Sequence, residues 1–359
     1  MITLDVCPST LEHWRHDWSL IFPLSDERLM LAWCEYYAVR PSEVMRDRSP
    51  YEPGKSLDPL PCRISGKIST DRGRSWSGKF TLQDNVGPLN VKHPNLLRLA
   101  SDPRSILFLY TVRYAELEEI RIFMRRSEDE CETWSEPVQI SSLPGVHYLM
   151  ADRILQLPSG RIILPTFQSD SWIPFDAFCY YSDDEGASWH KSRVRMQLPG
   201  HGAQEPSVVV LGDGRLLAVL RTSLGTLYRA HSSDEGESWT QPLSTGLSSP
   251  ASTPLLKRIP TSGDLLLVWN NRYDPNHEDY QQGHGPRDPL SAAISRDDGE
   301  TWDHLKDLER RPGGASLTPA VTFLGDEALL TYATQAVRQP LYEKYDIRLK
   351  IIPIDWFYR

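Results

Sequence analysis

The chain has 359 residues, 40% of them hydrophobic, and its 48 acidic against 39 basic side chains leave a formal net charge of −9. That balance argues against nucleic acid or an anionic membrane as the default partner, and no apolar run approaches transmembrane length. Cys7, Cys34, Cys62, Cys131 and Cys179 are odd in number and lack metal-ligand spacing, so they read as free thiols, with no metal or cofactor expected.

In chain order, an edge-strand candidate at Thr3–Cys7 comes first, with no basic and apolar leader pattern, which predicts a cytoplasmic protein. Then two elements alternate. One is a short apolar hairpin around a polar turn, at Phe22–Trp33, Leu97–Leu109, Leu157–Leu164, Leu211–Leu217, Ile259–Leu267 and Phe323–Leu330. The other is the phrase S-x-D-x-G-x-[ST]-W, at Ser69–Trp76, Ser127–Trp134, Ser182–Trp189, Ser232–Trp239 and Ser295–Trp302. Its Asp residues, Asp71, Asp129, Asp184, Asp234 and Asp297, are 58, 55, 50 and 63 residues apart. A repeat of that length marks a supersecondary unit.

The chemistry of the phrase suits a tight turn. Asp accepts from backbone N–H groups just ahead of it, Gly tolerates positive φ, and Trp buries apolar surface beside the turn. Reading each hairpin as strands one and two, and each phrase as the link from strand three to four, gives an all-β chain. The expected architecture is a six-bladed β-propeller of four-stranded antiparallel blades, one domain over 1–359. The last unit has no phrase, so Thr3–Cys7 is expected to supply its missing edge strand and close the ring.

The repeats resemble the Asp-boxes of the sialidase-like, BNR-repeat propellers, and the likeness extends over essentially the whole chain. The stretch Ala203-Gln-Glu205 to Arg221 is similar to the fourth blade of sialidases, where a Glu precedes one hairpin and an Arg follows it. The resemblance implies an acidic-sugar site in which Glu205 matches the Glu that activates a Tyr nucleophile. Arg221 and Arg287 match two of three Arg residues that grip the substrate carboxylate. Two elements have no counterpart. The first Arg is expected where Leu20-Ile-Phe-Pro23 stands, and the Tyr where Gly314-Ala315-Ser316 stands. For the acid/base Asp, the loop after Trp33 offers Glu35, Glu43 and Asp47.

Residues just before the hairpin strands, or at the ends of the second strands, are expected to line the central funnel. This gives His93, Asp152, Arg153, Gln204, Glu205, Thr253, Lys257 and Ser316–Thr318 on one side. Glu35, Arg113, Gln168, Arg221, Asn270 and Arg272 come from the other. Convergent Arg groups with a few carboxylates suit an anionic, polyhydroxylated ligand. The reading is a sialidase-superfamily, glycoside hydrolase-like enzyme acting on an acidic sugar without a Tyr nucleophile. Glu205 and Asp152 serve as base and acid of an inverting hydrolysis, and Arg153, Arg221 and Arg287 hold the anion. The alternatives are an exo-α-sialidase proper, a uronic-acid lyase with His93 or His147 as base, and a non-catalytic glycan-binding propeller. His277, Glu278, Asp279 and His284 read as a polar lid rather than a metal site.

Overall fold

The computed structural model describes residues 1–38, 60–115, 119–141, 145–170, 173–276, 285–336 and 344–359. Strands His16–Pro23, Leu29–Tyr36, Cys62–Ser69 and Phe80–Gln83 pair antiparallel as the first sheet. A nine-stranded sheet follows. It joins Asn90–Arg98, Ile106–Arg113, Ile120–Ser127 and Val138–Gln139 to a second run made of Val146–Tyr148, Leu155–Gln156, Ile162–Ser169, Asp176–Ser182 and His190–Lys191. The joint is a single parallel pairing of Ile120 with Val146, so we treat the two runs as blades two and three.

Gln204–Val210, Leu216–Arg221, Thr226–Ser232 and Leu243–Ser248 form blade four, and Leu255–Arg258, Leu265–Asn270, Leu290–Ser295 and Asp303–Glu309 form blade five. Blade six takes Ala315–Leu324, Glu327–Gln335 and Asp346–Pro353, and its outer strand is the N-terminal Ile2–Cys7. No helix among the described residues is long and apolar enough to cross a membrane.

Each repeated phrase follows the third strand of its blade and works as a self-contained turn. In the copy at Ser182, Asp184 accepts from the Ser188 N–H at 2.8 Å and from the Ser188 hydroxyl at 2.6 Å. Gly186 at φ +90 turns the chain, and the Trp189 indole donates to its carbonyl at 3.1 Å. The second copy performs the same turn with Cys131 at φ +70 in place of Gly.

The apolar residues of each sheet pack against the next. One cluster sets Leu29, Leu31 and Trp33 of blade one against Leu329, Ile347 and Leu349 of blade six. Others lie between blades one and two, two and three, four and five, and five and six. The largest joins blades three and four and reaches the funnel aromatics Trp14, Trp18, Tyr36 and Tyr148. Sheets buried on both faces explain the near-continuous apolar strands such as Leu265–Val268.

First strands touch between blades six and one, one and two, four and five, and five and six, which places them around a common axis. Their hairpin turns lie at one end of that axis. The entries to the first strands and the exits of the second lie at the other, here called the loop end.

Glu35, on the second strand of blade one, is 1% exposed and sits among cations. Arg63 reaches one carboxylate oxygen at 2.8 Å, Lys79 the other at 2.7 Å, and Ser65 donates at 2.9 Å. Burial opposes its charge, but these three donors prevail and hold the carboxyl down to about 2. A carboxylate depressed in the fold adds stability above its unfolded pKa and loses it as pH falls toward the folded one.

Glu35→Gln is therefore expected to unfold more easily than wild type by roughly 2 kcal/mol at neutral pH. The deficit should shrink from about pH 4.5 downward and vanish near pH 2, as read by urea denaturation across that range. Removing residues 1–8 unpairs the edge of blade six and uncovers Val6 and Cys7, which should cost roughly 3 kcal/mol. An unchanged melting temperature for the shortened chain would contradict the role given to that strand.

Candidate functional site

The innermost strands share a device that sequence reasoning passed over. In four of them one residue adopts positive φ, Trp18 (41°), His93 (61°), Glu205 (49°) and Thr318 (53°), and so does Asp152 (61°) in the turn that leads into Leu155–Gln156 of blade three. The pairing register slips at this point between Asp17 and Leu20, Lys92 and Asn95, Gln204 and Ser207, and Leu317 and Ala320. Such bulges re-aim a side chain, here on strands that surround the axis. Left-handed conformations in non-Gly residues cost about 1–3 kcal/mol each and persist where surrounding structure imposes them. Pro94, Pro206 and Pro319 follow three of these residues, so the repeated X-Pro dipeptide was the signal available in the sequence.

Glu205 is 6% exposed. One carboxylate oxygen accepts from Arg221 Nη1 at 2.7 Å and the other from the Thr253 hydroxyl at 2.5 Å. The triad spans blades four and five. Gln204, paired in register with Arg221, is buried and its Oε1 has no hydrogen-bond donor among the described residues. Ser252, Ser316 and Thr318 likewise carry buried hydroxyl oxygens without a partner among the described residues.

Asp152 holds the equivalent position on blade three. Lys257 Nζ lies 2.8 Å from its Oδ1, and the Val321 N–H donates to its Oδ2 at 3.1 Å. The next residue, Arg153, runs through the middle of the ring. Its Nη1 donates to the Ala151 carbonyl at 2.9 Å, and its Nη2 to those of Pro254 at 2.9 Å and Pro319 at 3.4 Å. Burial pulls its pKa down to about 10, against the pull of Asp152 and Glu205, so it stays charged at neutral pH. The sequence reading gave Arg153 to the anionic ligand; its guanidinium is instead committed to backbone carbonyls of three blades.

Toward the hairpin end, Asp152, Arg153 and Lys257 border a cavity of about 520 Å³ walled by Ile154, Val208 and Leu256.

On blades two and three, His93 Nδ1 lies 2.9 Å from the Thr111 hydroxyl, and its ring stands edge-on to Trp18 at 4.7 Å and to Tyr148 at 5.7 Å. Arg113 donates to the Tyr148 hydroxyl, and its guanidinium lies 5.5 Å from that ring's centre. Tyr148 is a funnel residue that the search for charged groups missed.

Other expected ligand-binding residues have structural tasks. Asn270 is buried and donates to the carbonyls of Pro289 and Ser316 at 3.1 and 3.0 Å, tying blade five to blade six. Arg287 donates to the Ala251 carbonyl at 3.1 Å. Arg272 is exposed and lies 3.9 Å from Asp274. Glu35 belongs to the ion cluster of blade one. His147 is buried against Tyr180 at 3.2 Å. Among the described residues no group of His, Cys, Asp and Glu could hold a metal. Glu43, Asp47, His277, Glu278, Asp279 and His284 lie outside the described residues.

The opening of blade one also differs from the expected alignment. Its bulge lies at Asp17-Trp18-Ser19, three residues before Leu20–Pro23. The extra bulge residue shifts the register, so the position matching Lys92 on blade two is Asp17.

The comparisons with known proteins agree with this geometry. A structure of a protein of unknown function from Dyadobacter fermentans superposes with a TM-score of 0.74 at 17% identity, covering 98% of this chain and 99% of that one. A leech intramolecular trans-sialidase, complexed with 2,7-anhydro-Neu5Ac, gives 0.73 at 14% identity over 99% of this chain and 70% of that one. The NanB sialidase from Streptococcus pneumoniae gives 0.73 at 13% identity over 98% and 70%. At such identities the likeness shows the fold, a sialidase-like β-propeller. No curated protein matches the sequence. The family model described as a BNR repeat-like domain matches residues 62–334, three quarters of the sequence, and the chain belongs to that family.

Proposed function

We propose that the protein is a sialidase-superfamily, glycoside hydrolase-like enzyme that acts on an acidic sugar at the loop end of its axis, with Glu205 as the catalytic carboxylate. The observation that carries this reading is the placement of Glu205. A strained bulge sets it on an axial strand, and Arg221 and Thr253 fix both of its oxygens. A carboxylate held by a guanidinium and a hydroxyl is fixed in orientation, as a base that takes a proton from water requires.

Asp152 is the second carboxyl group, at the equivalent position of the adjacent blade. An inverting hydrolysis needs two such groups with room for a water between them. For Asp152 to act as the acid, its pairing with Lys257 must break and its carboxyl group must turn from the hairpin-end cavity toward the loop end when the ligand binds. The segment that would supply a Tyr nucleophile reads Ala315-Ser316, which favours direct attack by water over a covalent intermediate.

A second reading is favoured by the grouping of His93, Tyr148 and Arg113. In a β-elimination on a uronic acid, a base removes the proton beside the carboxyl group while a cation steadies the carboxylate. An acid then protonates the leaving oxygen as the C–O bond breaks and a C=C bond forms. His93 and Tyr148 are the base and acid types such a step uses, and Arg113 the cation.

Turnover of fluorogenic sialosides and of uronic-acid oligosaccharides separates the readings. Hydrolysis predicts that Glu205→Gln and Asp152→Asn each lose at least about 100-fold in kcat, with no unsaturated product. Elimination predicts ultraviolet absorbance from an unsaturated uronate, lost in His93→Ala and kept in Glu205→Gln. Equal turnover in wild type, Glu205→Gln and Asp152→Asn would remove the hydrolytic roles.

A further inference from the structure

Three cationic side chains crowd the sector of blades one and two. Arg15 leads into the first strand of blade one, Lys92 stands just before the bulge of blade two, and Arg113 ends that blade's second strand. They are 4%, 1% and 1% exposed. Arg15 Nε lies 2.6 Å from Asp17, which is fully buried.

Rings surround these groups. Lys92 Nζ lies 3.8 Å from the centre of the Trp18 ring and 5.4 Å from that of Tyr36. The Arg15 guanidinium lies 4.5 Å from Tyr36, 5.5 Å from Trp18 and 5.6 Å from Tyr345. Cations over aromatic faces are partly compensated for lost water, and the arrangement gathers donors at one point. A further donor lies among them. The Trp18 indole N–H is buried and has no acceptor among the described residues. Trp18 is also the bulge residue of blade one, and Glu205 that of blade four, three blades away around the ring. The two positions face each other across the axis.

We propose that Arg15, Lys92 and the Trp18 indole N–H form the pole that holds the acid group of the sugar, facing the Glu205–Arg221 pair. This rests on the reading of the ligand as an acidic sugar, and it moves recognition of the acid away from the Arg residues named by family resemblance. Arg153 and Arg287 hold backbone carbonyls, and Arg221 holds Glu205. Lys92 and Arg15 bring the charge, and the Trp18 N–H gives a directed bond to one carboxylate oxygen.

Calorimetric titration with N-acetylneuraminic acid, methyl glucuronide and the neutral methyl glucoside tests the pole. Wild type should prefer the acidic sugars. Lys92→Met should cut that preference at least about 10-fold, and Trp18→Phe, which keeps the ring and loses the N–H, about 5-fold. Lys92→Arg should keep it within about 3-fold. Should Lys92→Met fail to fold, Trp18→Phe and Lys92→Arg decide the matter. A wild-type preference in Trp18→Phe and Lys92→Met would overturn the pole and leave the acidic-sugar reading standing. No preference in wild type itself would overturn both.

Discussion

A single guanidinium at the centre of the ring organises the rest of the molecule. Arg153 donates to carbonyls of its own blade and of blades five and six, while the preceding Asp152 binds Lys257 of blade five and the Val321 N–H of blade six. A carbonyl buried at the axis without a donor costs free energy, because no water replaces the lost bond. Arg153 satisfies three at once. It also leaves a positive charge near Asp152 and Glu205. The fold and the chemistry therefore meet in the same residue.

The bulges follow from this constraint. A regular strand alternates its side chains between two faces, and in a propeller both faces are covered by neighbouring blades. A polar group on a regular inner strand would point into an apolar interface such as the one around Leu329 and Leu349. One residue with positive φ breaks the alternation and turns a side chain elsewhere. Trp18, His93, Asp152, Glu205 and Thr318 are thereby freed from the blade cores. The strain of each is borne by the sheet around it. This explains how an acidic chain concentrates Arg15, Lys92 and Arg113 in one sector and sets Glu205 in another.

Much of the scaffold was legible because it is local. The phrase around Asp184 contains its own donors and acceptors within a few residues, so its turn survives in any context and can be read from the letters. The hairpins at Asp213-Gly214 and Ser262-Gly263 are local in the same sense. Glu205 stood out because a charged residue interrupts an apolar strand. The partners across the axis were not legible, since Pro254 and Pro319 carbonyls carry no sequence mark. Arg153 thus looked like a ligand residue. Arg15, Asp17 and Trp18 sit in His13-Trp-Arg-His-Asp-Trp18, which reads as a lead-in until the bulge shows where the strand opens. Asn270 and Arg272, two residues apart in sequence, differ by burial alone.

The most direct measurement is a crystal structure with an acidic monosaccharide soaked into Glu205→Gln. The account places the sugar at the loop end of the axis, its acid group toward Lys92 and Trp18 and its anomeric carbon toward residue 205. A sugar bound instead in the cavity beside Lys257, or on the outer rim of the blades, would contradict it.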